Sequence, residues 1–346
     1  MLGVERILVA LTRDEGAVFV LEKAAILANA ADAELEVIHV VYESLADLPL
    51  QAIEKDQTLK TFILSAGESW LEDQLDSVRH KVKSLDSATL WHKDEWQGIL
   101  HAAEVSQSDL IIKATNLEED RAFSTRTPQD WNLLRHSTIP VMLVKPSAWV
   151  EAPIIMAAID ALNEDQFELS KKVLIEADQL ASILGGELAI VCSYPLLEPW
   201  AGQAAVGINF QQLRDDIERV ARKAIAKLTD AANVSFNYLY IEEGRPAMRL
   251  RSLAEETQAE ILVMGTVGRT GVKSFVIGNT SETILQYTSV MWWSYAKTID
   301  SADPQPPNAL QFGTHSTPGV ALLLSLRPLL RPLRPSQQTC RQHPCQ

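Results

Sequence analysis

At 346 residues the chain exceeds one ordinary domain and suits two. Its composition, 47% hydrophobic and 22% charged, is that of a globular protein, and no run approaches the roughly 18 apolar residues that a membrane span needs. The net charge of −14 argues against a nucleic-acid or anionic-membrane partner, because phosphate backbones are bound by clustered Lys and Arg. The N-terminus, MLGVERILVALTRDE, carries Glu5 and too short an apolar run for a signal peptide. Cys192, Cys340 and Cys345 form no disulfide framework, so a cytoplasmic location is expected.

Taken in order, the chain repeats itself after about 150 residues. Arg6 to Thr12 matches Ile154 to Asp160, Ala33 to Tyr42 matches Gly186 to Pro195, and Ala102 to Thr115 matches Leu253 to Thr266. The first copy predicts strands at Ile7 to Leu11, Val37 to Tyr42, Thr89 to His92, Leu110 to Ala114 and Val141 to Pro146. Helical spacing falls between them, over Val18 to Ala30, most of Leu59 to Val82, and Gly98 to Val105. Strand and helix alternating in this way imply parallel sheets built from right-handed βαβ units. Pro146 to Pro153 reads as a linker.

The second copy predicts strands at Ile154 to Ile159, Leu188 to Ser193, Ser235 to Ile241 and Ile261 to Met264. Helices are expected at Phe167 to Leu184, stopped by Gly185-Gly186, at Leu213 to Ala231 and at Ala247 to Glu256. Ile217, Val220, Ala224, Ile225 and Leu228 are assigned to the core face of the second of these. After Met264 comes the most informative stretch, GTVGRTGVKSFVIGNTSET, with Gly265, Gly268, Gly271 and Gly278 ahead of an apolar-periodic segment near Ile284. Glycines here let backbone N–H groups approach a ligand, and a helix N-terminus adds partial positive charge, so the segment reads as an anion cradle. The bland alternative is a glycine-rich connection that merely lets strand and helix pack. It is neither a Walker A loop nor a dinucleotide fingerprint. The first copy places Glu118, Glu119 and Asp120 where this loop would fall, so a triphosphate there would meet like charge.

The spacing Gly265-x2-Gly268-x9-Gly278, followed by Asn279 and Thr280, resembles the nucleotide loop of the universal stress protein family, although Asn279 stands where that pattern has Ser or Thr. Together with the tandem repeat and TPQDWNLLR in the first copy, it is similar to the two-domain bacterial members over Met1 to Thr288. The resemblance implies two tandem doubly wound α/β domains with parallel sheets, at 1–148 and 149–288, whose fifth strands pair the halves into an intramolecular pseudo-dimer and leave a further homodimer open. It also implies ATP, with or without Mg, bound in the second domain, with Asp160 beside the adenine and Gly265, Gly268, Gly278, Asn279 and Thr280 around the phosphates. Arg269 and Lys273 flank that loop and could balance phosphate charge or lie on the surface. Asp160 alone could equally cap the following turn, and its counterpart in the first copy is Thr12.

No residues are assigned to catalysis and none to metal. His92, His101 and His136 are scattered, and Cys340, His343 and Cys345 lie in a Pro-rich terminus. The expected role is a regulatory or protective stress-response module that binds ATP with at most slow turnover. The competing reading is a nucleotide-independent scaffold holding an apolar ligand or a protein partner between the halves, and hydride transfer is a distant third. From Ser289 onward the resemblance stops: these 58 residues hold eight of the 16 prolines and five Lys or Arg against two Asp or Glu. Such a composition predicts a disordered tail, no normal fifth strand and a raw sheet edge. A shifted reading frame is the expected origin, since ATG-TGG-TGG for Met291-Trp292-Trp293, with TCN for Ser294, reads as consecutive Val codons one base earlier.

Overall fold

The computed structural model describes residues 3–13, 16–44, 58–114, 129–145, 147–196, 209–266 and 289–294. In chain order these are β1 (Arg6–Leu11), α1 (Ala17–Ala31), β2 (Glu34–Val41), α2 (Leu59–Leu75), β3 (Leu85–Trp91), α3 (Glu95–Ser106), β4 (Leu110–Ala114), α4 (Gln129–His136) and β5 (Val141–Val144). The second half follows with β6 (Ile154–Ala158), α5 (Phe167–Leu184), β7 (Glu187–Tyr194), α6 (Phe210–Ala232), β8 (Tyr238–Glu243), α7 (Pro246–Thr257), β9 (Ile261–Thr266) and β10 (Ser289–Ser294). They form one ten-stranded sheet in the order β3-β2-β1-β4-β5-β10-β9-β6-β7-β8. Among the described strands every pairing is parallel except β5 with β10, where the two halves meet antiparallel, Met142 opposite Met291.

The period of two along each strand decides which core a side chain joins. Ile7, Val9 and Leu11 of β1 pack with α1 and α2, whereas Leu8 and Ala10 pack with α3 and α4. In β6, Ile155 and Ala157 likewise face α5 and α6, while Met156 faces α7. Both faces are covered, which is why the central strands read as unbroken apolar runs. The repeat extends to the helix ends: α1 and α5 stop on left-handed residues Asp32 and Gly185, and α3 and α7 on Gln107 and Gln258.

Three expectations need correcting. The second half does have a fifth strand, for Ser289 to Ser294 pair with all of Ile261 to Thr266 in register, so β9 has no raw edge. The physical reason is local: Val290, Met291, Trp292 and Trp293 are four consecutive strand formers, and the first proline of the tail comes only at Pro304. The expected disorder from residue 295 onward lies outside the described residues, as does the helix start near Ile284. The second correction concerns α6, whose buried face is Ala221, Ile225, Leu228 and Thr229, with Val220 53% exposed. Its first turn begins three residues earlier than its apolar spacing implied because Asn209 caps it, accepting from the Gln212 N–H at 3.1 Å. The third is α2, which ends at Leu75 rather than near Val82.

At the seam, Lys23 of α1 is 2% exposed and reaches Glu260 Oε1 of the second half at 3.7 Å. Its ammonium also donates to the Lys145 carbonyl at 3.2 Å and lies 5.2 Å from the Trp149 ring centroid. Burial lowers its pKa to about 8, against the opposing pull of Glu260. The folded value lies below the unfolded 10.5, so the unfolded chain holds this proton more tightly and stability rises between those two pH values. Denaturant titrations of wild type and Lys23→Met across this window should show the difference moving in favour of wild type as pH rises, by at most on the order of 3 kcal/mol. A difference that stays flat would mean that Lys23 titrates as an ordinary surface lysine.

Candidate functional site

In each half the first strand is followed in the sheet by the second on one side and flanked by the fourth on the other, with the fifth beyond it. The crevice between β6 and β9 is therefore the crossover of the second half, and that between β1 and β4 is the crossover of the first. Ligands of open parallel sheets bind at the carboxyl ends of such strands. Asp160 stands there, two residues beyond Ala158, which pairs with Met264. Its side chain is exposed, and among the described residues no hydrogen bond reaches its carboxylate. Further on, Asn163 caps the 3-10 turn Glu164–Gln166, its Oδ1 accepting from the Asp165 N–H at 3.1 Å. The Asp160 charge is felt by Cys192 on β7, whose thiol is pushed up first by burial and then by that carboxylate.

Gly265 lies at the carboxyl end of β9, against Trp293 of β10 in register. A Cβ built on it would come within 2.6 Å of the Leu169 side chain on α5, so a larger residue here would need Leu169 to shift. Gly268, Arg269, Gly278, Asn279 and Thr280 lie outside the described residues, as do Gly271 and Lys273.

Past the carboxyl ends of β6 and β7 opens a hollow of about 350 Å³ lined by Leu162, Tyr194, Pro195, Leu196, Ile217, Val220 and Asp216. The amino-terminal part of α6 passes over the ends of the strands here, so positions that would face the core further along line an apolar recess instead. The helical spacing of Ile217 and Val220 was visible in the sequence, but not that the helix overhangs the sheet. Next to it, Glu243 of β8 accepts from Arg214 Nε at 2.6 Å, while Arg249 pairs with Glu242. The second-half crossover thus carries an exposed carboxylate at Asp160, with an apolar recess at the carboxyl ends of β6 and β7.

The first-half crossover is built differently. Thr12 replaces Asp160, and Met264 has as its counterpart Lys113, 1% exposed between Asp130 Oδ1 at 3.1 Å and Glu95 Oε1 at 3.6 Å. A polar cleft of about 660 Å³ lies over the ends of β1 to β3, with Arg13, His39, Tyr42, Phe62 and His92 among its walls. His39 and Arg13 did not stand out in the sequence, because three separate elements bring them together. Of the scattered histidines, His92 lines this cleft, whereas His136 stacks on Trp96 at 4.6 Å.

The family model described as "Universal stress protein family" matches residues 3–145 and again 154–293, most of the chain. The chain belongs to the universal stress protein family. Its two matched segments coincide with the two halves of the sheet, and the second runs into β10. Among curated relatives, universal stress protein E of Photorhabdus laumondii is 25% identical over 243 residues, covering 68% of this chain and 76% of the relative. Universal stress protein E of Escherichia coli is 26% identical over 228 residues, covering 65% and 72%. A putative universal stress protein from Pseudomonas aeruginosa superposes with a TM-score of 0.64 at 23% identity, over 84% of this chain and 94% of that one. One from Archaeoglobus fulgidus gives 0.58 at 17% identity, over 84% and 96%. These two agree with this universal stress protein in fold. No helix among the described residues is long and apolar enough to cross a membrane.

Proposed function

We propose that this universal stress protein binds one adenine nucleotide, ATP, in its second half and serves the cytoplasmic stress response as a regulatory or protective module. The observation that carries this reading is the exposed Asp160 carboxylate at the β6/β9 crossover, where no hydrogen bond reaches it among the described residues. A ribose or base donor would satisfy that carboxylate, and the recess of Leu162, Tyr194 and Ile217 would hold an apolar ring. The Gly268 to Thr280 segment would supply backbone N–H groups to the phosphates, which suits a chain too acidic to recruit them by surface charge. Mg bound with the nucleotide would neutralise phosphate charge. Turnover, if any, would be slow in this reading.

The two halves, 1–148 and 149–294, form an intramolecular pseudo-dimer in this reading, supported by the β5/β10 pairing and by the Lys23–Glu260 contact. The apolar hollow of about 350 Å³ also favours a second reading, a nucleotide-independent scaffold for an apolar ligand, with the ligand at the end of the second half rather than between the halves. Equilibrium dialysis of the full chain against labelled ATP, ADP and NADH separates these. ATP and ADP retained in preference to NADH is the expected result; retention of none of them would leave the scaffold, and retention of NADH alone would point to hydride transfer.

A further inference from the structure

The connection from β5 to β6 is tied down at its ends and at one point between them. At the start the Ser147 N–H donates to the Lys145 carbonyl at 2.9 Å. At the far end the Pro153 carbonyl accepts from the Glu187 N–H at 3.0 Å, and a Cβ on Gly186 would come within 2.1 Å of that oxygen. Between these ties, among the described residues, no hydrogen bond reaches Ala148 to Ala152. Trp149 is the anchor: its side chain packs on the core that α1 shares with α5, and its ring centroid lies 5.2 Å from the Lys23 ammonium. That seat is imperfect. The indole Nε1–H is buried with no acceptor among the described residues, and Ala152 takes φ 51°, a left-handed backbone unfavourable to a residue with a Cβ.

Against this ring the buried Lys23 is held by groups from both halves. Among the described residues the charges that face it are Glu260, just before β9, and Lys145, just after β5. Glu22 beside it pairs instead with Lys81, and β1, β2, β4 and α2 meet α1 through apolar side chains. An ammonium so enclosed is better solvated in water than where it stands. We infer that residues 147–152 form a strap that opens as a unit when Trp149 leaves its seat, exposing Lys23 and parting it from Glu260 while β5 and β10 stay paired. Opening relieves Ala152 and hydrates the indole N–H. It also frees Lys23 from the burial that chiefly holds its pKa at about 8, so the open lysine binds its proton more tightly than the closed one. Opening therefore takes up a proton and becomes rarer as pH rises through 8.

Endoproteinase Glu-C, which cuts after glutamate, tests this on the full chain at the bond from the exposed Glu151 to Ala152, followed by mass spectrometry. The rate is normalised at each pH to that of a free peptide of the same linker sequence. Cutting requires the strap to leave the surface. The expected wild-type result is cleavage at least about tenfold slower than the peptide and little changed by about 1 M urea, as a local opening demands. It should also fall about tenfold between about pH 7 and 9. Trp149→Ala should speed it about tenfold or more and leave it insensitive to urea, while Lys23→Met should make it flat with pH. Cleavage that climbs steeply with urea, that stays level or rises with pH in the wild type, or that Trp149→Ala leaves unchanged would overturn the proposal. A strap cut as fast as the free peptide would overturn it too.

Discussion

Replacing Lys113 by Met should destabilise the first half by about 3–5 kcal/mol, the range for removing one partner of a buried ion pair. The replacement is nearly the same size and is the residue that the second half itself uses at the matching place, Met264. Volume therefore does not decide the outcome. Lys113 is 1% exposed, and its ammonium stands 3.1 Å from the Asp130 carboxylate, whose side chain is 8% exposed. With the ammonium gone, Asp130 stays buried beside Trp131 and Leu134 without the cation that stands 3.1 Å from it. Glu95, at 22% exposure, can relax into solvent, so its loss of a partner matters less. Urea unfolding followed by tryptophan fluorescence measures the effect. The double variant Lys113→Met/Asp130→Leu should recover most of the loss, because apolar replacement of both partners removes the orphaned charge. A single variant as stable as wild type would show that the cluster is no more than a surface ion pair.

Gly268→Asp should abolish measurable ATP binding, a loss of at least about 100-fold, corresponding to about 3 kcal/mol. The substitution puts a side chain where backbone is proposed to approach phosphate, and adds a negative charge in the same place. Calorimetry on the folded variant reads it directly. Unchanged affinity would remove the phosphate role from this loop and leave its glycines to packing. Gly268→Ala, which adds a methyl group without charge, should fall between the two and separate steric from electrostatic effects.

Much of the fold was legible because period and punctuation agree. Phe167 to Leu184 was bounded by apolar spacing and by Gly185, which takes φ 62° in the structure, so the helix ends where the sequence says. The central strands were equally plain, since burial on both faces makes them nearly continuous apolar runs, with Lys113 of β4 the exception. Elements at the rims were harder. β8 is an edge strand whose residues are only partly buried, and its bounds came out displaced toward the chain's N-terminus by three residues at the start. β10 was hidden because six strand-forming residues open a tail whose average composition is that of a disordered segment. At the candidate site, Asp160 followed from its place after the first strand of the repeat. What no local pattern could reveal was the cleft of the first half, where Arg13, His39 and His92 come from the ends of three strands joined only by tertiary structure.

The central claim is that the second half, and not the first, carries the nucleotide. Photolabelling the full-length chain with 8-azido-ATP, followed by peptide mapping, tests it without any substitution. Label confined to peptides from 149–294, and displaced by unlabelled ATP, is the predicted result. Label in peptides from 1–148, or label that excess ATP does not displace, would contradict it.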